Sequence, residues 1–209
     1  RAAADRSGSD LDRLEPELLV SLGGDGTFLR TAQRAHELDI PVLGVNFGRV
    51  GYLLNMAPAE LHGTILDALD GAVAIELRAG LELEGGGGRF FVVNEVSVEK
   101  TVPGHVVRIA AEIDGEHFLT YAADGVLVAT PTGSTAYNLS AGGPVLAPQI
   151  DGYVMTPVAP HFVIDRSVVL GGEQRVRLSV VGERRVVCVV DGSSVAELGE
   201  GDELVIRRH

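Results

Sequence analysis

Two periodicities divide the chain. Up to about residue 72 apolar residues come in short continuous runs or at helical spacing; beyond it they alternate with polar ones. Leu18, Leu19, Val20 and Leu22 read as a buried parallel strand, and Phe28, Leu29, Ala32, Ala35 and Leu38 recur along one helix face. Ile40 to Val45 restarts as a short buried strand after Asp39, giving a strand–helix–strand unit. Pro58 opens a second helix over Glu60, Leu61, Ile65, Leu66 and Leu69, which Asp70-Gly71 stops. Farther on, Ile75, Leu77, Leu81 and Leu83 predict a strand entering the turn Gly85 to Gly88, with Phe90 to Val98 as the returning strand. Val106 to Ile113, Asp114-Gly115 and Phe118 to Tyr121 predict another hairpin. Short strands then follow over Val163 to Leu170, Val176 to Val181, Val186 to Val190, Val195 to Leu198 and Leu204 to Ile206. The pattern is that of an α/β domain over 1–72 and an all-β domain of two packed sheets over 73–209. Residues 1–16, with Ser7-Gly8-Ser9-Asp10 and alternating charges, are expected to be a linker or flexible surface segment.

Composition narrows the partners. The chain has 209 residues, 45% of them apolar, enough for a sizeable core, and no apolar run approaches the roughly 18 residues of a membrane span. A net charge of −12 argues against nucleic acid and acidic membrane as partners, since both require a basic face. Lys100 is the only lysine and stands in no Gly-Lys-Ser/Thr setting, so a P-loop is excluded. Phosphate contacts must therefore come from backbone amides, arginines or a metal. The single cysteine, Cys188, lies in the apolar run Val186 to Val190 and is expected to be a buried structural thiol. With no leader visible, the cytoplasm is the expected compartment.

Four stretches carry candidate chemistry. Gly23-Gly24-Asp25-Gly26-Thr27 falls at the first strand-to-helix turn. Without Cβ atoms, glycines there can take positive φ and let a phosphate approach backbone N–H groups at a helix N-terminus. Asp25 is then a proton acceptor or a magnesium partner beside the moving phosphoryl group, or else a residue that caps the helix. Asn46, at the carboxyl end of the second strand, heads Asn46-Phe47-Gly48-Arg49-Val50-Gly51 and is either a turn residue or a ligand contact. Asn94-Glu95 interrupts an apolar strand whose alternation sends the two side chains to opposite faces, so at least one needs a hydrogen-bond partner. Finally, Asp124 to Val128 leads into Thr130-Pro131-Thr132-Gly133-Ser134-Thr135-Ala136-Tyr137 and a short helix ended by Gly142-Gly143-Pro144. Its hydroxyls exceed what helix capping needs and point to a polar ligand. His161 is expected to be a loop contact outside the site; Arg49, Arg166 and Lys100 are candidate phosphate partners.

In this combination and order the chain resembles the NAD kinase family. The resemblance is carried by Gly23 to Thr27, Gly44-Val45-Asn46 with Gly48 and Gly51, Asn94-Glu95, Asp124-Gly125, Thr130 to Tyr137 and Ser140 to Pro144. The first motif is shared with lipid kinases of the diacylglycerol and sphingosine type and with phosphofructokinases, whereas the threonine-rich motif is far more specific. The resemblance implies a Rossmann-like parallel sheet in the α/β domain and a two-sheet β-sandwich after it. It also implies magnesium-dependent transfer of a phosphoryl group from ATP or inorganic polyphosphate to the 2′-hydroxyl of the adenosine ribose of NAD. Asp25 would be the general base, Gly24 and Gly26 would line the phosphate channel, and Thr27 and Asn46 would be further binding residues. Asn94 and Glu95 would hold adenosine, Thr135, Ala136, Tyr137 and Ser140 would shape the adenine and ribose pocket, and Asp124 would lie on the nicotinamide side. A homodimer or homotetramer built through the β domain is expected. Family members normally begin with a further strand and helix and continue past the last strand, so the donor site is expected to be incomplete in this chain. Two other readings are a lipid kinase, which the charge and the threonine-rich motif disfavour, and a catalytically silent dinucleotide-binding regulator.

Overall fold

The computed structural model describes residues 15–48, 51–54, 56–161 and 165–209. The linker expected over residues 1–16 thus falls almost wholly outside the described residues. The chain divides into two compact units between Glu76 and Leu77.

In the first unit, β1 (Leu19–Gly23) and β2 (Val42–Asn46) pair in parallel, from Leu19 opposite Val42 to Gly23 opposite Asn46. Parallel neighbours require a crossover, and α1 (Asp25–Leu38) supplies it. The helix buries Leu29 and Ala35. Gly44 has no room for a side chain, because a Cβ there would overlap Leu54 and stand 2.8 Å from the Phe28 ring. This close approach is what seats α1 on the sheet. The helix stops at Asp39, which takes a left-handed φ of +54°, and the next N–H, of Ile40, bonds the Ala35 carbonyl. A 3₁₀ turn over Pro58–Glu60 then opens α2 (Leu61–Leu69). The second helix forms where its spacing and Pro58 place it, yet none of its residues is buried, and Leu69 is 71% exposed.

The second unit is two six-stranded antiparallel sheets. Its strands are β3 (Leu81–Gly85), β4 (Gly88–Val92), β5 (Glu95–Lys100), β6 (Val107–Ile113), β7 (Glu116–Ala123), β8 (Gly125–Ala129), β9 (Gly152–Val158), β10 (Val168–Gly171), β11 (Arg175–Val181), β12 (Val186–Val190), β13 (Ser193–Leu198) and β14 (Glu203–Arg208). One sheet runs β10-β9-β8-β5-β12-β13 and the other β4-β3-β14-β11-β6-β7. Alternation explains the core. Val96, Val98, Val126, Val128, Tyr153, Met155, Val186, Cys188 and Val190 of the first sheet meet Leu81, Leu83, Val107, Ile109, Val176, Leu178, Leu204 and Ile206 of the second. Cys188 is buried there as expected, and burial pushes its thiol up to about 11. The outer face of the first sheet has its own small cluster. Leu127, Ala129 and Val154 are covered by Leu146, Tyr137 and Ala141, from the segment that contains α3 (Tyr137–Ser140).

Three stretches depart from the pattern in the sequence. Residues 72–80 carry no regular structure, and Ile75 and Leu77 are 69% and 90% exposed rather than at the head of a strand. The strand expected over Phe90 to Val98 is broken: β4 ends at Val92 in one sheet and β5 begins at Glu95 in the other. The chain crosses between sheets at Val93-Asn94, because side chains take the backbone groups that a neighbouring strand would otherwise take. The strand expected from Val163 begins at Val168; residues 162–164 lie outside the described residues. β9, by contrast, is not signalled. It is buried on both faces from Gly152 to Pro157, so it has no polar alternation, and it contains a proline. Pro157 lies past the end of β10, whose pairing stops at Val168 opposite Met155, so no ladder donor is missed there.

Candidate functional site

At the start of α1 the backbone of Gly24 occupies the N-cap position at φ −103° and ψ −174°, and Asp25 is the first helical residue. No side chain caps this end, so the capping reading of Asp25 is set aside. Nor does any of Gly23, Gly24 and Gly26 take a positive φ. These glycines serve by what they leave open or allow to close. A Cβ on Gly23 would stand 2.7 Å from the Thr27 hydroxyl oxygen, whereas nothing lies within 4 Å of a Cβ on Gly24 or Gly26. In the first turn of α1 the Thr27 and Phe28 N–H groups bond the Gly24 carbonyl, and the positive end of the helix dipole lies at these glycines.

The Asp25 carboxylate is held from the loop after β2. Its Oδ2 accepts the Tyr52 N–H at 3.1 Å, and Gly51 lies so close that a Cβ would overlap both carboxylate oxygens. Asn46 shapes the start of that loop: its Oδ1 accepts the Gly48 N–H at 2.8 Å, and the Phe47 N–H bonds the Gly23 carbonyl at 3.0 Å. The side chain oxygen thus acts locally as a turn former. Arg49 and Val50 lie outside the described residues. The carboxyl ends of both parallel strands thereby converge on one carboxylate beside an open helix start, the place where α/β sheets hold ligands.

In the second unit, polar side chains gather where the chain crosses between sheets. One carboxylate, Asp191 in the β12–β13 turn, accepts the N–H groups of Val93, Asn94 and Glu95 at 2.9, 2.7 and 3.2 Å. From the other side, the Thr130 hydroxyl donates to the Val93 carbonyl at 2.7 Å, and its N–H bonds the Asn94 carbonyl at 2.9 Å. Gly133 packs directly on this backbone. With the main chain satisfied, Asn94 Oδ1 and Glu95 Oε2 remain buried without a partner. Each such orphan is unfavourable by about 1–3 kcal/mol, which a polar ligand would relieve.

Much of the hydroxyl-rich segment is spent on structure. Buried Ser134 donates to the Pro131 carbonyl at 2.6 Å and accepts the Leu146 N–H at 2.9 Å. Buried Asn138 donates to the Ser134 and Pro144 carbonyls and accepts the Thr156 hydroxyl at 2.7 Å. The excess of hydroxyls over capping needs is thus partly internal bracing. Thr135 is half-buried, with its hydroxyl 3.3 Å from the Thr132 carbonyl; Ala136 joins the 3₁₀ turn to α3, and Ser140 is exposed at the end of that helix. Asp124 pairs with Lys100 at 2.7 Å, so this lysine is engaged. Arg166 is exposed and pairs with Asp165 at 3.3 Å, and exposed His161 bonds the Ala122 carbonyl through its N–H.

Glu95, Ser97 and Glu99 share the outer face of β5, with the Ser97 hydroxyl 2.5 Å from Glu99. Burial, then the charges of Asp191 and Glu99, push the Glu95 carboxyl up to about 7, against a lowering bond from the Tyr137 backbone N–H. Burial, then the nearby charge of Glu99, raise the Tyr137 phenol above its usual range. Because folded Glu95 holds its proton more tightly than the unfolded chain, its ionisation destabilises the fold progressively between about pH 4.5 and 7. Melting curves of Glu95→Gln are therefore expected to show a smaller loss of Tm than wild type as pH rises across that window. Parallel pH dependences would refute the assignment.

Asp191, Asn138 and Glu99 were not signalled as site residues. Asp191-Gly192 reads as an ordinary hairpin turn, and nothing local reports that its carboxylate reaches β5.

An α/β unit with a fixed carboxylate at an open helix start and a two-sheet unit with unpaired buried acceptors define the class. Family profiles match both parts: the ATP-NAD kinase N-terminal domain over residues 8–73 and the ATP-NAD kinase C-terminal domain over 93–209. The chain belongs to the NAD kinase family. It is 38% identical over 206 residues to the NAD kinase of Wolinella succinogenes, covering 96% of this chain and 71% of that protein. Over 203 residues it is 35% identical to the NAD kinase of Methanoregula boonei, covering 97% and 74%. Among solved structures it is similar to yeast NADH kinase complexed with NADH, with a TM-score of 0.84 and 29% identity over 93% of this chain and 59% of that one. It is also similar to the Archaeoglobus fulgidus NAD kinase in complex with ATP, with a TM-score of 0.77 and 26% identity over 98% and 85%. Among the described residues no helix is long and apolar enough to cross a membrane.

Proposed function

We propose that the chain transfers a phosphoryl group from ATP or inorganic polyphosphate to the 2′-hydroxyl of the adenosine ribose of NAD, giving NADP. The observation that carries this reading is the Asp25 carboxylate, immobilised by the Tyr52 N–H at a helix start whose neighbouring glycines leave space in front. Phosphoryl transfer depends on alignment and charge neutralisation more than on covalent help, and one carboxylate to receive the ribose proton suffices. Asp25 takes that role. Gly24, Gly26, Thr27 and Asn46 line the phosphate side; Asn94 and Glu95, with their unpaired oxygens, hold adenosine. Thr135, Ala136, Tyr137 and Ser140 shape the adenine and ribose pocket, and Asp124 lies toward nicotinamide. Mg²⁺ bound with the donor would neutralise its charge, and phosphate and water oxygens would suit its shell. On this reading residues 1–72 supply the chemistry and 73–209 the dinucleotide site. The reaction belongs in the cytoplasm, where ATP and NAD are available, and the working form is a homodimer or homotetramer through the β unit.

The relatives' names and the NADH and ATP bound to the two solved structures support the substrate classes. The test is formation of NADP from NAD and Mg²⁺ with either ATP or polyphosphate, followed by a coupled dehydrogenase. Product with one donor is expected, and the donor is read from the same experiment. NAD binding with no product from either donor would replace the kinase by a silent binding protein.

A further inference from the structure

We infer that Asp191 is a positioning residue for the acceptor nucleotide: its grip on the backbone of Val93, Asn94 and Glu95 sets the side chains of Asn94 and Glu95 for the dinucleotide. The inference rests on the role proposed above for those two side chains. Three consecutive N–H groups converging on one point form a nest for an anion. Here the chain supplies the anion itself, with contacts of 2.9, 2.7 and 3.2 Å, and the Asp191 N–H returns a bond to the Glu95 carbonyl at 3.0 Å.

The turn alone does not call for this arrangement. Asp191 and Gly192 stand at φ +47° and +80°, a left-handed pair in which glycine would be less strained than aspartate at the first position. The Asp114-Gly115 turn has nearly the same geometry, at φ +55° and +86°. Its carboxylate takes a single backbone N–H, that of Arg175 at 2.9 Å, together with the Gln174 amide, and serves only to tie strands. Asp191 instead fixes the crossover that presents the site's unpaired acceptors, Asn94 Oδ1 and Glu95 Oε2. Its charge also faces Glu95, together with Glu99 on the same strand and Tyr137 from α3; Asp124, beside Lys100, reaches this group through its effect on Tyr137.

The test uses the whole chain with ATP or polyphosphate, whichever donor it accepts. Asp191→Asn keeps one acceptor but turns an amide toward the Val93 N–H. Its KM for NAD is expected to rise ~10-fold or more with kcat at saturating NAD nearly unchanged. Loss of the charge should also move the pH dependence of NAD binding toward lower pH. Asp191→Gly removes the carboxylate while relieving the left-handed strain, so it tests the same point should the asparagine variant fold poorly; the same KM rise is expected. Asp114→Asn, the matched turn, should lower Tm without moving KM. A folded Asp191→Asn or Asp191→Gly protein with wild-type KM and pH dependence would overturn the inference while leaving the kinase reading intact. A wild-type chain that neither binds NAD nor forms NADP would instead remove the reading beneath it.

Discussion

With Asp25 replaced by asparagine, kcat for NADP formation is expected to fall by about 10²- to 10⁴-fold, the usual range for loss of a general base. KM for NAD should stay within about threefold, because an interaction made only in the transition state has been removed. The substitution is clean. Asparagine has the shape of aspartate, its Oδ1 can keep the bond from the Tyr52 N–H, and the Gly51 backbone that walls the group in is untouched. Asp25 makes no capping bond whose loss would weaken α1. A change in turnover with an unchanged melting curve therefore reads on chemistry rather than on folding. Turnover near wild type would rule out Asp25 as the base and leave the glycine turn as a phosphate cradle only.

Local patterns carried the first unit well. A run of apolar residues, three glycines around one acid, and a 3.6-residue period place β1, the turn and α1, since each is decided by neighbours in sequence. The glycines' purpose was less legible. Gly23 and Gly44 are explained by the side chains of Thr27 and Leu54 that press on them, and Gly24 and Gly26 by empty space, none of which local φ preference reveals. In the second unit most strands follow from alternation, whereas β9 escapes it because both of its faces are covered. The break at Val93-Asn94 was legible only as two polar residues in an apolar run. Its cause lies almost a hundred residues away in Asp191, and a hairpin aspartate at a glycine turn carries no mark of a second role. Hydroxyls misled in the other direction. Thr130 and Ser134 looked like ligand contacts, but they brace the segment that places Thr135 and Tyr137.

That bracing makes Gly133 a sensitive backbone position of the second unit. A methyl group at Gly133 would overlap the carbonyl carbon, the oxygen and the Cα of Asn94, so no flexible side-chain tip can move aside. Either the Asn94 backbone must retreat, which breaks its bonds to Thr130 and Asp191, or the 3₁₀ turn Gly133–Thr135 must lift. Lifting that turn strains the Ser134–Leu146 and Asn138–Thr156 hydrogen bonds. Gly133→Ala is therefore expected to destabilise the protein by about 3 kcal/mol, at the upper end for overpacking. For a unit of this size that is a fall in Tm of roughly 10 °C. Because both routes displace Asn94 or Thr135, the surviving folded fraction should also bind NAD more weakly, by ~10-fold or more. Thermal melts with and without NAD separate the two effects: the alanine variant should melt lower and gain less from the ligand than wild type does. A variant with wild-type Tm and an undiminished NAD-dependent shift would show that the crossover and the hydroxyl-rich turn are not wedged together, and the role given to Asn94 would fall with them.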